Sequence, residues 1–370
     1  MAGMAHHPFF NPEKRKHQDG AFAREEVRLA GRNHGMHLEA LRYDVTPAGM
    51  HYLLIHFDVP HVADADRWTL SIGGEVERPF SIRLTDIRSA QQVTRRVTLE
   101  CAGNGRAVQS PRWQSQPWHH EAVGTAEWTG TPLKPLLERA GLRPHAKDVV
   151  FYGTDRGFDS GVEHDYGRAL SPAIAMSDDI LLVTAMNGQP LLPQHGFPLR
   201  LIVPGWYGMA SVKWLNRIEV IDHAFQGHQQ VGTYVYREKA GAPGTPVTTM
   251  RVKSLMLPPG IPDWYSRARL VDAGAVELMG RAWSGNGVGI RRVEVAVDGQ
   301  WREAELDAPQ DRYAWRGWRC MWQASPGERV LQCRATDDNG DIQPVEQRFD
   351  NAGFGNNQVQ SVAVTVRARP

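Results

Sequence analysis

Cys101 ends the strand-like run Arg96-Val-Thr-Leu and begins the turn Ala102-Gly-Asn-Gly-Arg106. The glycines let the backbone turn sharply and approach a bulky group closely, and Arg106 brings a cation back to the same place. A thiol in that company leans toward thiolate, which is either a nucleophile or a soft metal ligand; the third reading is a buried structural cysteine. A second cluster carries complementary chemistry. His195-Gly-Phe-Pro-Leu-Arg200 sets a histidine and an arginine in one loop ahead of a strand, and Lys213 follows beyond the next turn, the donors an anionic phosphate requires. Arg32-Asn33-His34, between Gly31 and Gly35, offers another cation and two polar groups. Taken singly, each of these reads as solvated surface.

These residues need elements to hold them. Residues 1–40 are polar and irregular and read as a solvated arm that settles on a domain surface. Residues 41–245 alternate strand-like runs (His51-Tyr-Leu-Leu-Ile-His, Asp148-Val-Val-Phe-Tyr-Gly, Leu199-Arg-Leu-Ile-Val-Pro) with short helices. The clearest helix is Pro132 to Ala140, with Thr131 to cap it, Pro132 in its first turn and Gly141 to stop it. This part is mixed α/β. The stretch 240–262 is rich in proline and glycine and reads as a connection. Residues 246–370 then change character. Arg291-Arg-Val-Glu-Val-Ala-Val meets Asp298-Gly299, a strong hairpin signal, and a further pair of strands flanks Ser325-Pro-Gly, where Cys320 and Cys333 would face each other across a hairpin. Short strands with regular turns predict an immunoglobulin-like sandwich, giving an α+β chain. A sandwich seldom carries chemistry alone, so catalysis belongs to the first part.

Composition narrows the function classes. Forty-two basic and 41 acidic residues leave a formal charge of +1, so no overall field favours nucleic acid or an anionic membrane. No apolar run reaches the roughly 20 residues needed to span a bilayer. Three cysteines in 370 residues exclude a disulfide scaffold. The N-terminus lacks the pattern of a secretory leader, which points to the cytoplasm, with the periplasm open if a leader has been removed.

Taken in order, Arg32-Asn-His34, Cys101-Ala-Gly-Asn-Gly-Arg106, Met186-Asn-Gly-Gln-Pro, His195-Gly-Phe-Pro-Leu-Arg200 and Val212-Lys-Trp-Leu resemble the sulfite oxidase family of molybdenum enzymes. Gly280-Arg-Ala-Trp-Ser-Gly resembles the opening of that family's dimerisation domain. The resemblance implies a single pyranopterin dithiolate holding molybdenum, with Cys101 as the protein's metal ligand. It assigns Asn33, His34, Asp155, His195, Arg200, Ser211, Val212 and Lys213 to the pterin and its phosphate. Arg32 and Arg106 would face the metal's oxo ligands and draw in an anionic substrate. Tyr234, placed by spacing from Lys213-Trp214, would donate a hydrogen bond there, and Trp118, ten residues before Trp128, would wall the pocket.

The chain departs from the family's animal members. No haem-binding domain and no Cys-x-x-Cys-His motif is visible in the sequence, so electrons would leave to an external acceptor such as a cytochrome c. Ala352 stands where animal enzymes have a further substrate-binding arginine, which weakens the case for a doubly charged anion. The implied activity is oxidation of sulfite to sulfate by a homodimer paired through the sandwich domain. Relatives that reduce nitrate, oxidise carrier-bound sulfane sulfur or reduce oxidised sulfur compounds are the nearest alternatives. A cysteine-nucleophile hydrolase using Cys101 and His119 is the alternative of another class, and a non-catalytic binding protein comes last.

Overall fold

Alternation of buried and exposed residues, interrupted at glycine-bearing turns, builds this chain mainly from strands; the computed structural model describes residues 17–18 and 20–368. The first part holds two five-stranded sheets. One runs in the order Gln189–Pro190, Leu181–Met186, Val123–Pro132, Val93–Glu100, with Arg200–Ile202 also paired to Leu181–Met186. The other runs Phe80–Arg83, Thr69–Gly74, Leu215–Ile221, Asp148–Asp159, Val162–Leu170, and its single parallel pair, Thr69–Gly74 with Leu215–Ile221, makes it mixed. Apolar faces of the sheets and the helices Leu84–Ser89 and Lys134–Ala140 close a core that includes Leu70, Phe151, Leu182, Leu201 and Ile218. Burying each such side chain contributes roughly 1.5–3 kcal/mol.

The second part is all β among the described residues, a sandwich of a four-stranded and a six-stranded sheet. Asp298 and Gly299, both at positive φ (48° and 81°), turn Ile290–Val297 into Gln300–Glu303 as a two-residue hairpin requires. Leu278, Val293, Trp318, Leu331 and Val364 fill the space between the sheets. No helix among the described residues is long and apolar enough to cross a membrane.

Several expectations from the sequence are corrected. Much of the N-terminal stretch is not a solvated arm: Arg24–Arg32 is helical, anchored by a buried ion pair from Glu26 to Arg112 (3.0 Å), and Met36, Ala40 and Leu41 are core residues. The opening of that stretch, residues 1–16, lies outside the described residues. His51 to His56 is not a strand but an extended, buried segment with one bridge, Leu53 to His34. Its polar side chains are turned into a cavity, so their alternation does not mark a sheet face. Thr131 belongs to the preceding strand and donates to Ile87 O, while Gly141 does stop the helix at φ 70°. Of the stretch read as a connection, Lys253–Met256 is a fully buried sandwich strand. Finally, Arg316–Ala324 and Gly327–Asp337 do not pair. They lie in different sheets, so Cys320 and Cys333 are separate free thiols in the core between the sheets rather than cross-hairpin neighbours.

Candidate active site

Sheet geometry brings the chemistry together at the end of Val93–Glu100. The next residue, Cys101, is buried, its N–H donating to Ala122 O at 2.8 Å. From the other sheet, a register irregularity between Tyr152 and Arg156 breaks the pairing of Asp148–Asp159 with Val162–Leu170. Such a break re-aims a side chain, and Asp155 points into the cavity. His195 ends a 3-10 turn before Gly196 at φ 107°. Lys213 precedes Trp214, a bulky residue held at φ 50°, the kind of local strain that concentrates at functional sites. Tyr234 follows a π-helical turn, His228–Thr233, whose wider geometry sets the tyrosine's direction.

Two cavities result. The inner one, about 590 Å³ counting its open mouth, is lined by Cys101, Asp155, His195, Arg200, Ser211 and Lys213, with His51, Tyr52, Tyr166 and others. The outer one, about 720 Å³ with its open mouth likewise counted, is lined by Asn33, Arg106, Gln116, Trp118, Asp159, Gln229 and the aromatic side chains of Phe57, Phe158 and Phe354. Leu54, His56, Cys101 and Tyr234 line both, so the thiol sits where the two meet.

The inner cavity is built for an anion. Burial, reinforced by the charges of Arg200 and Arg32, drops Lys213 to about 7 even though Asp155 pulls the other way. Burial also brings Arg200 down to about 10 and, with His51 and the two neighbouring cations, His195 to about 2. Asp155 moves the opposite way, raised by burial to about 6. Arg200 Nε and Asp155 Oδ1 are buried with no hydrogen-bond partner among the described residues. A buried polar atom without a partner is costly, and a phosphate for the guanidinium and a ring N–H for the carboxylate would remove both penalties. Lys213 Nζ is oriented by Leu54 O and Gln194 O (2.8 and 3.1 Å), and Ser211 Oγ accepts from Val203 N–H. Gly153 is obligatory here, since a Cβ would lie 2.4 Å from Asp155 Oδ1 and 2.6 Å from Lys213 O.

The cation in the turn is not the largest influence on the thiol. Burial raises the Cys101 pKa, opposed by the Gly103 N–H, the Arg106 charge and the Trp118 indole. Desolvation is the largest of these influences, whereas a bound metal would take the thiolate outright. Arg106 is buried, its Nε donating to Ala352 O (2.8 Å) and its Nη1 to Gln116 O (3.1 Å), with the Phe354 ring beneath it. Asn33 donates to Gln116 Oε1 and accepts from Ile55 N–H, bridging the walls of the outer cavity.

Three sequence-assigned residues are not brought into either lining. Arg32 is part-exposed on the rim, 3.5 Å from Asp58; His34 is exposed; Val212 packs in the core and presents only its backbone to Leu201. His119 is exposed, packs on Phe22 and lines neither cavity, so no Cys101–His119 dyad exists. Ala352 likewise lines neither, touching the site only through its carbonyl. Conversely, sequence reasoning missed His56, whose Nε2 lies 2.7 Å from Tyr234 Oη, and Arg168, buried over the Tyr234 ring. His56 is signalled only by a polar residue within an otherwise apolar run.

Comparison with known proteins agrees with this geometry. Residues 56–229 match the oxidoreductase molybdopterin binding domain and residues 246–367 the Mo-co oxidoreductase dimerisation domain. The chain is 32% identical to mitochondrial sulfite oxidase of Mus musculus over 319 residues, 81% of this chain and 57% of that protein. It is 31% identical to a nitrate reductase [NAD(P)H] of Hordeum vulgare over 342 residues, 85% of this chain and 38% of that protein. It thus spans little more than half the length of the animal relatives and less of the plant ones. Among solved structures, the sulfane dehydrogenase SoxCD from Paracoccus pantotrophus superposes with a TM-score of 0.76 at 27% identity, covering 89% of this chain and 85% of that one.

Proposed function

The chain belongs to the sulfite oxidase family of molybdopterin oxidoreductases, and from that premise we propose that it oxidises sulfite to sulfate and passes the electrons to an external acceptor such as a cytochrome c. The observation that carries this reading is the convergence of Cys101, Tyr234 and His56 at the junction of an inner, cation-rich cavity and an outer one holding Arg106. One pyranopterin would occupy the inner cavity, its phosphate on Arg200, Lys213 and His195 and a ring N–H on Asp155, with Cys101 as the protein ligand to molybdenum. When bound, the cofactor supplies oxygen-atom transfer and two-electron redox chemistry.

The chain's own residues do the rest. Arg106 draws the anion through the outer cavity and holds it by a charge-assisted hydrogen bond toward Cys101. Trp118 and Phe354 exclude water around it, which strengthens that contact. Tyr234 Oη, fixed by His56, hydrogen-bonds a substrate oxygen and holds a proton at that atom. Residues 246–367 would pair two copies as a homodimer.

A second reading draws support from the outer cavity. Its aromatic side chains suit a less charged sulfur, such as a sulfane borne on a carrier, and the fold resembles that of a sulfane dehydrogenase. Steady-state assays of molybdenum-replete protein separate the readings: sulfite with ferricyanide against nitrate with reduced viologen and a persulfide with ferricyanide. Turnover of sulfite is expected; turnover of nitrate or persulfide with none of sulfite would refute the first choice.

A further inference from the structure

The turn that carries Cys101 is gripped from outside its own domain. Glu100, one residue earlier, is buried with Lys253, the first residue of the sandwich strand Lys253–Met256, at 2.9 Å. The same carboxylate accepts from Asn104 Nδ2 (3.0 Å) and from the sandwich's Trp283 Nε1 (2.9 Å). Lys253 Nζ also donates to Asn356 O at 2.9 Å. Residues 352–356 then bond the turn at three points. Gly355 N–H donates to Ala102 O (2.7 Å), Asn356 Nδ2 to Gly105 O (2.9 Å), and Ala352 O accepts from Arg106 Nε (2.8 Å).

We propose that Lys253 positions the turn bearing Cys101 and Arg106, making the sandwich domain part of the site rather than a dimerisation module alone. An ion pair with both side chains about 2% exposed or less is seldom retained for stability, since desolvation offsets the attraction and apolar replacements serve as well. What such a pair fixes is geometry, and here one end is covalently next to the thiol. Lys253 holds Glu100 and the 352–356 segment together, and those two hold the turn from opposite sides. Asn104, bonded to Glu100, also accepts from Ala122 N–H, which closes the frame around Cys101. Lys253 is a positioning residue, since it lines neither cavity. That the thiol so placed meets molybdenum rests on the function proposed above.

The full-length, cofactor-free chain tests this by iodoacetamide labelling under native conditions, with each thiol followed by mass spectrometry. Cys320 and Cys333, in the sandwich core, report general loosening. Lys253→Met and the charge-neutral Glu100→Gln/Lys253→Met should both speed labelling of Cys101 by roughly tenfold, with the other two at wild-type rates, and molybdenum per chain in loaded protein should fall by roughly tenfold. All three thiols accelerating together, or Cys101 in the double variant labelling at the wild-type rate, would overturn the proposal. Selective labelling of Cys101 in variants of a chain that binds no molybdenum would uphold the clamp and sink only the reading of the metal.

Discussion

His56 Nε2 and Tyr234 Oη lie 2.7 Å apart where the two cavities meet, although 178 positions separate them in sequence. Burial, together with the Lys213 charge, lowers His56 to about 4, so the imidazole is neutral at physiological pH, and the same burial keeps the Tyr234 phenol protonated. The pair can therefore share one hydrogen bond without a net charge. Tyr234→Phe is expected to lower kcat by about 10²-fold, the usual cost of a lost transition-state donor. His56→Gln, which keeps a hydrogen-bonding group, should cost less than His56→Phe; equal losses would mean that His56 acts only by filling space.

Arg106 lines the outer cavity, and the Ala352 carbonyl fixes its direction. Removing a guanidinium that binds substrate in the ground and transition states alike raises KM more than it lowers kcat. Arg106→Met should therefore raise KM for sulfite by at least about tenfold, and the increase should shrink at high ionic strength, where the wild type also loses its electrostatic advantage. An unchanged KM would remove Arg106 from the path of the substrate.

Gly153 leaves room for Asp155 and the Lys213 backbone, and the cradle has no slack for a methyl group. Gly153→Ala should lose most of its bound pterin, because the added methyl must displace the Asp155 carboxylate and the Lys213 carbonyl; a thermal unfolding midpoint measured beside it separates a distorted cradle from a chain that fails to fold. Pterin released by acid and read by fluorescence checks this; wild-type content would show that the cavity holds something else.

Acid should destabilise the cofactor-free chain. His51 and His56 are lowered to about 4, His120 to about 3 and His195 to about 2, burial being the largest cause for each, from an ordinary 6.5. Between pH 6.5 and about 4 the unfolded chain binds protons there that the folded chain does not, so stability rises with pH in that window. Asp155, raised from 3.8 to about 6, has the opposite sign, but it is one group against four. Urea midpoints should fall as pH is lowered from 7 to 4; a flat or rising midpoint would mean that these imidazoles are solvated.

Local signals carried part of this structure in the sequence. Asp298-Gly299 announces its hairpin because the turn demands positive φ at both positions, and Gly141 announces a helix end for the same reason. Ser325-Pro-Gly carries no such demand. Whether it joins paired strands or crosses between sheets is decided by distant partners, Gly274–Trp283 on one side and Gln360–Arg367 on the other. Among site residues, Cys101 and Arg106 share one turn and are legible together, whereas His56 and Lys253 sit in runs that read as a strand and a linker and gain meaning only from what packs against them. The influences on Cys101 are legible only in part for a related reason: the cation beside the thiol is written in the turn, but the burial that opposes it is tertiary.

The central claim is that the lone thiol at the cavity junction is the protein's ligand to molybdenum. Metal analysis with an absorbance spectrum of wild type and Cys101→Ala, purified side by side, tests it most directly. One molybdenum per chain with a sulfur-to-metal charge-transfer band is expected in the wild type, and the band and sulfite turnover should both vanish in the variant. A Cys101→Ala protein that keeps the wild-type band and turnover would contradict it.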